Sequence, residues 1–150
     1  MTRVRIIEAN DYPGWRPLWD GYNAFYGRQG ASALPESITL TSWQRFLDPR
    51  EPMHALVAED QGQLVGLAHY LFHRSTIRSE LTCYLSDLYT LPSHRGRGVG
   101  RALIERVYAR CRADGVVGVY WQTHESNAAG RRLYDKIARA DGFIVYDAEV

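Results

Sequence analysis

Three glycines alternate with arginine and valine in the segment His94–Arg101, which reads HRGRGVGR. Glycine at positions 96, 98 and 100 removes Cβ atoms and permits positive φ, so several backbone N–H groups can converge on one point. A helical pattern follows at once, and the unpaired N–H groups at a helix start lie at the positive end of the helix dipole. The segment therefore predicts an anion site, and phosphate is the usual anion at such a place.

The spacing of the glycines argues against two common phosphate-binding motifs. A Walker loop ends in Gly-Lys-Ser/Thr, whereas Gly100 is followed by Arg101 and then alanine. A dinucleotide fingerprint of the form GxGxxG that starts at Gly96 would need glycine where Arg101 stands. A plain glycine-rich surface turn is the remaining alternative, but the flanking Arg95 and Arg97 favour an anion.

A second group of residues shares one helical face further along the chain. Asn127 and Tyr134 are seven residues apart, which is about 700° of helical rotation, so they lie two turns apart on the same side. Gly130 lies between them, where a small residue would leave room for a ligand to pass close to the helix. By its helical spacing alone, Tyr134 is typical of a tyrosine that packs in the core.

The remaining reactive side chains predict neither thiol nor metal chemistry. Cys111 falls on the apolar stripe of a helix, and Cys83 has no adjacent histidine in the sequence to lower its pKa. Neither cysteine has the spacing of a disulfide framework or a zinc site, and no carboxylate cluster has metal-ligand spacing. We therefore expect reduced thiols and no metal.

Periodicity predicts the elements that position these residues. The strand candidates are residues 4–8, 54–59, 63–72, 81–91, 118–123 and 143–146, and the helices are 15–26, 41–47, 98–115 and 126–138. Asp60-Gln61-Gly62 predicts a hairpin turn between the second and third strands. A late βαβ crossover follows, so the fold class is α/β (α+β): a mixed, mostly antiparallel sheet with helices on both faces.

Length and composition bound the kind of protein. At 150 residues, 45% hydrophobic and 23% charged, the chain predicts a single domain over residues 1–150. The formal net charge is +1, so no general nucleic-acid surface is implied. No apolar run reaches the roughly 18 residues of a membrane span. We expect a soluble cytoplasmic protein with neither nucleic acid nor membrane as a partner.

The motifs resemble those of a known family. The pattern Arg95-x-x-Gly98-x-Gly100 after LYTLPSH closely resembles the first motif of the GNAT acetyltransferase superfamily. Downstream, Asn127 followed by Leu133-Tyr134 is similar to its second motif, in the right order and at ordinary spacing. The stretch VYWQTHESNAAGRRLYDKIA resembles the branch of yeast histone, polyamine and D-amino-acid acetyltransferases. The resemblance covers residues 4–146.

The resemblance implies a sheet whose central strands splay apart, with acetyl-CoA as cosubstrate. The backbone of a strand would bind the pantetheine arm, and the amides and arginines of the loop would bind the pyrophosphate. Asn127 would donate or accept a hydrogen bond to the cosubstrate. The implied binding residues are Leu88, Tyr89, Thr90, Arg95, Gly96, Arg97, Gly98, Val99, Gly100, Arg101 and Asn127. Tyr134 matches the family's general acid, which protonates the departing thiolate.

The sequence leaves open which residue acts as the general base. Related polyamine acetylators carry glutamate at the position of Ser86, and enzymes acting on protein N-termini carry one at the position of Gln122. This chain has neither carboxylate, and strand alternation predicts that Asp87 faces away from Ser86, buried with a structural partner. A water relay through Ser86 or His124 is the default expectation.

The predicted function is acetyl transfer from acetyl-CoA to a primary amine of a small molecule, an amino acid or a polyamine-like compound, by direct attack in a ternary complex. The alternatives are acetylation of a protein lysine or N-terminus, use of a longer acyl donor, and a non-catalytic module that senses acyl-CoA. The resemblance to a family whose members commonly form dimers, together with the apolar C-terminal stretch FIVY, predicts a homodimer.

Overall fold

Five strands form one sheet, in the order in which they occur along the chain. The computed structural model describes residues 1–150, and its strands are β1 (Thr2–Ile6), β2 (Met53–Asp60), β3 (Gln63–His73), β4 (Thr82–Thr90) and β5 (Val119–Tyr120). The first four strands pair antiparallel, whereas β4 and β5 pair parallel. The mixed, mostly antiparallel sheet is therefore confirmed.

Four helices cover both faces of the sheet, as predicted. They are α1 (Tyr12–Phe25), α2 (Glu36–Leu47), α3 (Val99–Ala113) and α4 (Ala128–Ile137). On one face α1 and α2 bury a tryptophan-rich core around Trp15, Trp19 and Trp43. On the other face α3 contributes five of the 13 buried residues of a larger core, against which α4 packs through Leu133 and Ile137. No helix combines the length and apolar character that a membrane crossing requires.

A bulge interrupts the pairing of β3 with β4. His69 lies opposite Asp87 while Tyr70 lies opposite Leu85, so Ser86 is the extra residue on β4. An extra residue shifts the alternation of side chains by one position and bends the strand. As a result Asp87 turns towards the face covered by α1.

Strands β4 and β5 separate soon after they meet. β4 pairs with β5 only at Cys83 with Val119 and at Tyr84 with Tyr120. From residue 85 to residue 90, β4 keeps β3 on one side and has no strand on the other. This unpaired edge is the splay that the resemblance implies.

The C-terminal part of the sheet differs from the prediction. Residues 143–146 form no strand, and Phe143 and Tyr146 are 93% and 88% exposed. An apolar run supplies side chains for a strand but not a backbone partner, and this segment has none. The strand predicted over 118–123 is reduced to β5, where Tyr120 is exposed rather than buried.

The second helix also begins earlier than the predicted start at residue 41. It starts at Glu36 after Pro35, and no side chain caps it. Pro35, with φ −53° and ψ 138°, ends the loop in a non-helical backbone, and Thr39 is buried where its hydroxyl accepts a hydrogen bond from Trp19 Nε1 at 3.2 Å. Packing against α1 therefore extends the helix.

Candidate active site

The glycine loop adopts the backbone that its sequence predicts. Gly96 and Gly98 have φ of 74° and 82°, in the left-handed region that favours glycine. Gly98 is the N-cap of α3, and no side chain caps the helix. Because Ala102 N–H is the first to bond within the helix, to Gly98 O at 3.0 Å, the N–H groups of residues 99–101 remain open at its start.

Gly100 marks the place where loop, strand and last helix meet. Its φ is ordinary, and a Cβ added there would lie 3.6 Å from Leu133 Cδ2 on α4 and 4.0 Å from Thr90 Oγ1 on β4. The open amides of α3 therefore lie beside the end of the unpaired β4 edge. Val99, between the two glycines, turns its side chain into the core.

The three arginines of the loop differ in the number of contacts that their guanidinium groups make within the chain. Arg95 Nε donates to Thr90 O at 3.1 Å, and its guanidinium lies 5.6 Å from the centre of the Tyr89 ring. Arg101 pairs with Glu105 at 2.8 Å. Arg97 is exposed and has no partner in the chain, so its guanidinium is the one fully available to an anion.

Alternation along β4 decides which backbone groups face its open edge. Leu91 N–H donates to Val65 O on β3 at 2.8 Å, so Leu91 and, two residues earlier, Tyr89 face β3. The N–H and C=O groups of Leu88 and Thr90 therefore point to the open edge. Tyr89, the third backbone position predicted to bind the cosubstrate, instead directs its N–H and C=O groups towards β3.

A cleft opens where β4 and β5 part. Its lining combines six aromatic or aliphatic residues with three polar ones and comprises Tyr22, Tyr26, Leu85, Ser86, Leu88, Trp121, Gln122, Thr123 and Tyr134. A separate hollow near β1 contains none of the predicted site residues, and there Arg5 is paired with Asp11 and Glu59. The chemistry therefore belongs to the cleft between the strands.

Tyr134 presents a protonated phenol to this cleft. Its ring stands edge-on to Trp121, with ring centres 5.5 Å apart, and its hydroxyl has no hydrogen-bond partner in the chain. Burial, with a smaller contribution from Tyr26, raises the pKa of Tyr134 above its ordinary value. The hydroxyl therefore carries its proton at neutral pH and is free to donate it.

Asn127 acts as the N-cap of α4. Its Oδ1 accepts from Gly130 N at 3.2 Å, and its Nδ2 donates to Thr123 Oγ1 at 2.9 Å. A Cβ at Gly130 would come within 2.5 Å of Asn127 Nδ2 and 3.1 Å of Tyr134 Cε2. The space over Gly130 that was predicted for a ligand is thus filled by these two side chains, because the cap folds back over the helix.

A buried histidine beside the cleft was missed by sequence reasoning. His69 is 1% exposed, and its Nε2 lies 3.0 Å from Trp15 Nε1. An indole nitrogen only donates, so Nε2 accepts and carries no proton. The imidazole proton therefore sits on Nδ1, which donates to Asp87 Oδ2 at 2.9 Å.

Asp87 is held as a carboxylate next to Ser86. Ser86 Oγ lies 3.3 Å from Asp87 Oδ2 and 3.1 Å from His69 O, and Tyr22 donates its hydroxyl proton to Ser86 O at 3.3 Å. Burial opposes ionisation, but the hydrogen bond from His69, with the nearby hydroxyls of Tyr22 and Ser86, outweighs it and holds the pKa of Asp87 below its ordinary value. The prediction that Asp87 faces away from Ser86 is wrong, because the bulge brings the two together.

His124, the other predicted relay residue, lies apart from this group. Its Nδ1 is 2.6 Å from Ser126 Oγ in the exposed turn before α4. It does not line the cleft. Gln122 does line the cleft but brings no charge.

Comparison with known proteins agrees with this geometry. The model of the Acetyltransferase (GNAT) family matches residues 15–138. This chain belongs to the GNAT family. It is 35% identical over 145 residues to the D-amino-acid N-acetyltransferase HPA3 of Saccharomyces cerevisiae, covering 95% of this chain and 88% of that protein.

Solved GNAT structures share the fold. AAC(6')-Iy, in complex with a bisubstrate analogue, superimposes with a TM-score of 0.84 at 17% identity, covering 100% of this chain and 99% of that one. A ribosomal-protein-alanine N-acetyltransferase from Brucella melitensis gives 0.79 at 21% identity, covering 100% and 99%.

As a GNAT enzyme, the chain is an acyltransferase that depends on acetyl-CoA. Its two cysteines are buried, and burial raises the pKa of both thiols, which disfavours a thiolate nucleophile. No group of three or more His, Cys, Asp or Glu side chains is placed to hold a metal ion.

Proposed function

We propose that this GNAT enzyme transfers an acetyl group from acetyl-CoA to the primary amine of a small molecule, an amino acid or a polyamine-like compound, by direct attack in a ternary complex. The observation that carries the proposal is the meeting of an unpaired strand edge, an uncapped helix start and a free tyrosine hydroxyl around one cleft. The similarity to HPA3 supports a small acceptor.

The residues present fit acetyl-CoA. The open N–H and C=O groups of Leu88 and the N–H of Thr90, whose C=O accepts from Arg95 Nε, suit the amides of an extended arm, which adds to the sheet as a peptide strand would. The amides of residues 99–101 and the free guanidinium of Arg97 suit a pyrophosphate. When bound, acetyl-CoA supplies a thioester carbonyl to the acceptor amine.

Tyr134 serves as the general acid in this proposal. Its phenol is protonated at neutral pH because burial raises its pKa, and its hydroxyl is not committed to another group. A donor of this kind delivers its proton to a departing thiolate.

Asp87 receives the proton of the amine. Ser86 lines the cleft, and its hydroxyl lies between the cleft and the carboxylate that His69 holds ionised. A proton released at the amine reaches Asp87 through this hydroxyl or a water molecule beside it. The negative charge also attracts the acceptor as an ammonium ion before reaction.

The test is thiol release from acetyl-CoA with a panel of amines, amino acids and a short peptide. Turnover with a small amine or amino acid supports the proposal, and turnover with any acceptor excludes a pure sensor. Release only with the peptide would favour the protein-acetylating alternative. Competition between acetyl-CoA and longer acyl donors identifies the donor.

We also propose a homodimer. The apolar segment Phe143–Tyr146 is exposed and pairs with nothing in its own chain, which leaves a self-complementary surface for a second copy.

A further inference from the structure

A guanidinium without an acidic partner stands over the α1 side of the cleft. The Cζ of Arg28 lies 5.4 Å from the ring centre of Tyr26 and 5.9 Å from that of Tyr22, and both rings line the cleft. We infer that Arg28 binds a carboxylate of the acceptor, so that the preferred acceptor is an amino acid rather than a polyamine. This inference rests on the proposed function.

Arg28 is held in place by its own chain. After the end of α1, Gly27 at φ 79° reverses the backbone, and Arg28 N–H donates to Asn23 O at 2.8 Å. Arg28 Nε donates to Asn23 Oδ1 at 2.7 Å, and the buried amide of Asn23 is itself fixed by donation to Trp19 O at 2.9 Å. The two terminal nitrogens are left without a partner, pre-organised for a bidentate anion.

Other arginines on the α1 face are neutralised within the chain. Arg5 pairs with Asp11 at 2.7 Å, and Arg16 forms two hydrogen bonds to Glu36. Arg28 is half-buried against two aromatic rings and pairs with no carboxylate. A partly buried positive charge without a counter-ion attracts an anionic ligand.

The anion that Arg28 faces is not a phosphate of acetyl-CoA. Tyr22, beneath Arg28, reaches Ser86 midway along β4, whereas the glycine loop begins only after Thr90. Four residues of extended strand span about 13 Å. Arg28 therefore lies towards the acceptor end of the cleft, away from the open amides of α3.

Charges of opposite sign flank Tyr22. Its ring lies under the Arg28 guanidinium, and its hydroxyl reaches the backbone of Ser86, next to the ionised Asp87. An α-amino acid carries an ammonium and a carboxylate that match this pair. A polyamine has only positive charges and would bring one of them against Arg28, which costs binding energy.

The experiment compares five acceptors on the wild type and on Arg28→Met: the two enantiomers of phenylalanine, phenylalaninamide, phenethylamine and spermidine. We expect kcat/KM for phenylalanine to fall roughly 10- to 100-fold in Arg28→Met, the range for loss of a bidentate charge-assisted contact, while phenethylamine is unaffected. Comparing variants on the same acceptor cancels differences in amine reactivity. Arg28→Lys should keep part of the activity, and Arg50→Met, at an exposed arginine paired with Asp48, serves as the control.

Three results would overturn the assignment of Arg28. The first is an equal loss for phenylalanine and phenethylamine, which marks a structural role, and the second is a loss of acetyl-CoA affinity in Arg28→Met. The third is a preference of the wild type for spermidine over every amino acid. If the wild type turns over no small amine, the proposed function fails, and calorimetric binding of N-acetylphenylalanine with coenzyme A to wild type and Arg28→Met still decides whether Arg28 binds carboxylates.

Discussion

The Nδ1 of His69 lies 2.9 Å from Oδ2 of Asp87, and the opposite nitrogen of the same ring accepts a hydrogen bond from Trp15. The indole thereby fixes the tautomer in which the imidazole donates to the carboxylate. Asp87 is kept ionised although it is largely buried, and its neighbour Ser86 lines the cleft. This arrangement places an ionised carboxylate in contact with a residue that lines the cleft.

Replacing Asp87 with Asn should lower kcat/KM by about 10²- to 10⁴-fold at neutral pH, the range for loss of general base catalysis. The loss should shrink at alkaline pH, where the amine is already neutral and needs no acceptor. A pH profile of kcat/KM for both proteins measures this, with a thermal melt as the control for folding. An equal loss at every pH would show that Asp87 acts only on structure.

The same residue predicts how stability depends on pH. The folded pKa of Asp87 is below its unfolded value of about 3.8, so its ionised form contributes stability that is complete above that value and is lost as pH falls through the folded pKa. The free energy of unfolding of Asp87→Asn should therefore be lower than that of the wild type by about 1 to 3 kcal/mol at pH 7. The difference should narrow towards pH 2 in urea titrations, and a constant difference would contradict the ionised assignment.

The glycine loop and the helices were predictable from sequence because the patterns that indicate them are local. A positive φ at Gly98 depends on the missing Cβ of that residue alone, and the apolar stripe of α3 repeats within a few residues. The His69–Asp87 contact joins residues 18 apart, and the Trp15–His69 contact joins residues 54 apart. No periodicity encodes such contacts.

The errors also have a nonlocal cause. Strand alternation predicts that Asp87 and Ser86 lie on opposite faces of the sheet. The pairing of β3 with β4 contains a bulge, however, and the sequence of β4 alone does not reveal it. Residues 143–146 have the side chains of a strand, yet a strand also needs a neighbour with free backbone groups. Pairing of this kind is decided by the whole sheet, or by a second chain.

Gly98→Val should abolish acetyl-CoA binding, because a branched side chain at the start of α3 occupies space next to its open amides. Gly62→Val is the matched control, since Gly62 has φ 80° against 82° for Gly98 and both positions open onto free space. Both variants carry the same backbone strain, so both melting temperatures should fall by similar amounts. Calorimetry should show loss of acetyl-CoA binding only in Gly98→Val, and unchanged affinity in that variant would contradict the phosphate site.

The exposed C-terminal segment predicts the oligomeric state. If Phe143 and Tyr146 lie in a contact between two copies, light scattering at micromolar concentration should give a dimer for the wild type and a monomer for the double variant Phe143→Asp/Tyr146→Asp. Because both side chains are exposed within one chain, the substitutions should not disturb its core. A monomeric wild type would refute the dimer.

Tyr134→Phe should lower kcat by roughly 10²-fold while leaving acetyl-CoA affinity nearly unchanged. The substitution removes one hydroxyl that has no partner in the chain and keeps the ring against Trp121 and Gly130, so the fold should be retained. Loss of kcat with intact ground-state binding identifies an interaction made chiefly in the transition state.

The measurement is steady-state kinetics with the best acceptor, under conditions in which chemistry limits the rate. Tyr26→Phe is the matched control, because Tyr26 also lines the cleft but lies at the C-terminal end of α1, as its C-cap, under the Arg28 guanidinium. Its kcat should stay close to that of the wild type. A wild-type kcat in Tyr134→Phe would show that the thiolate takes its proton from another source, with water the first to test.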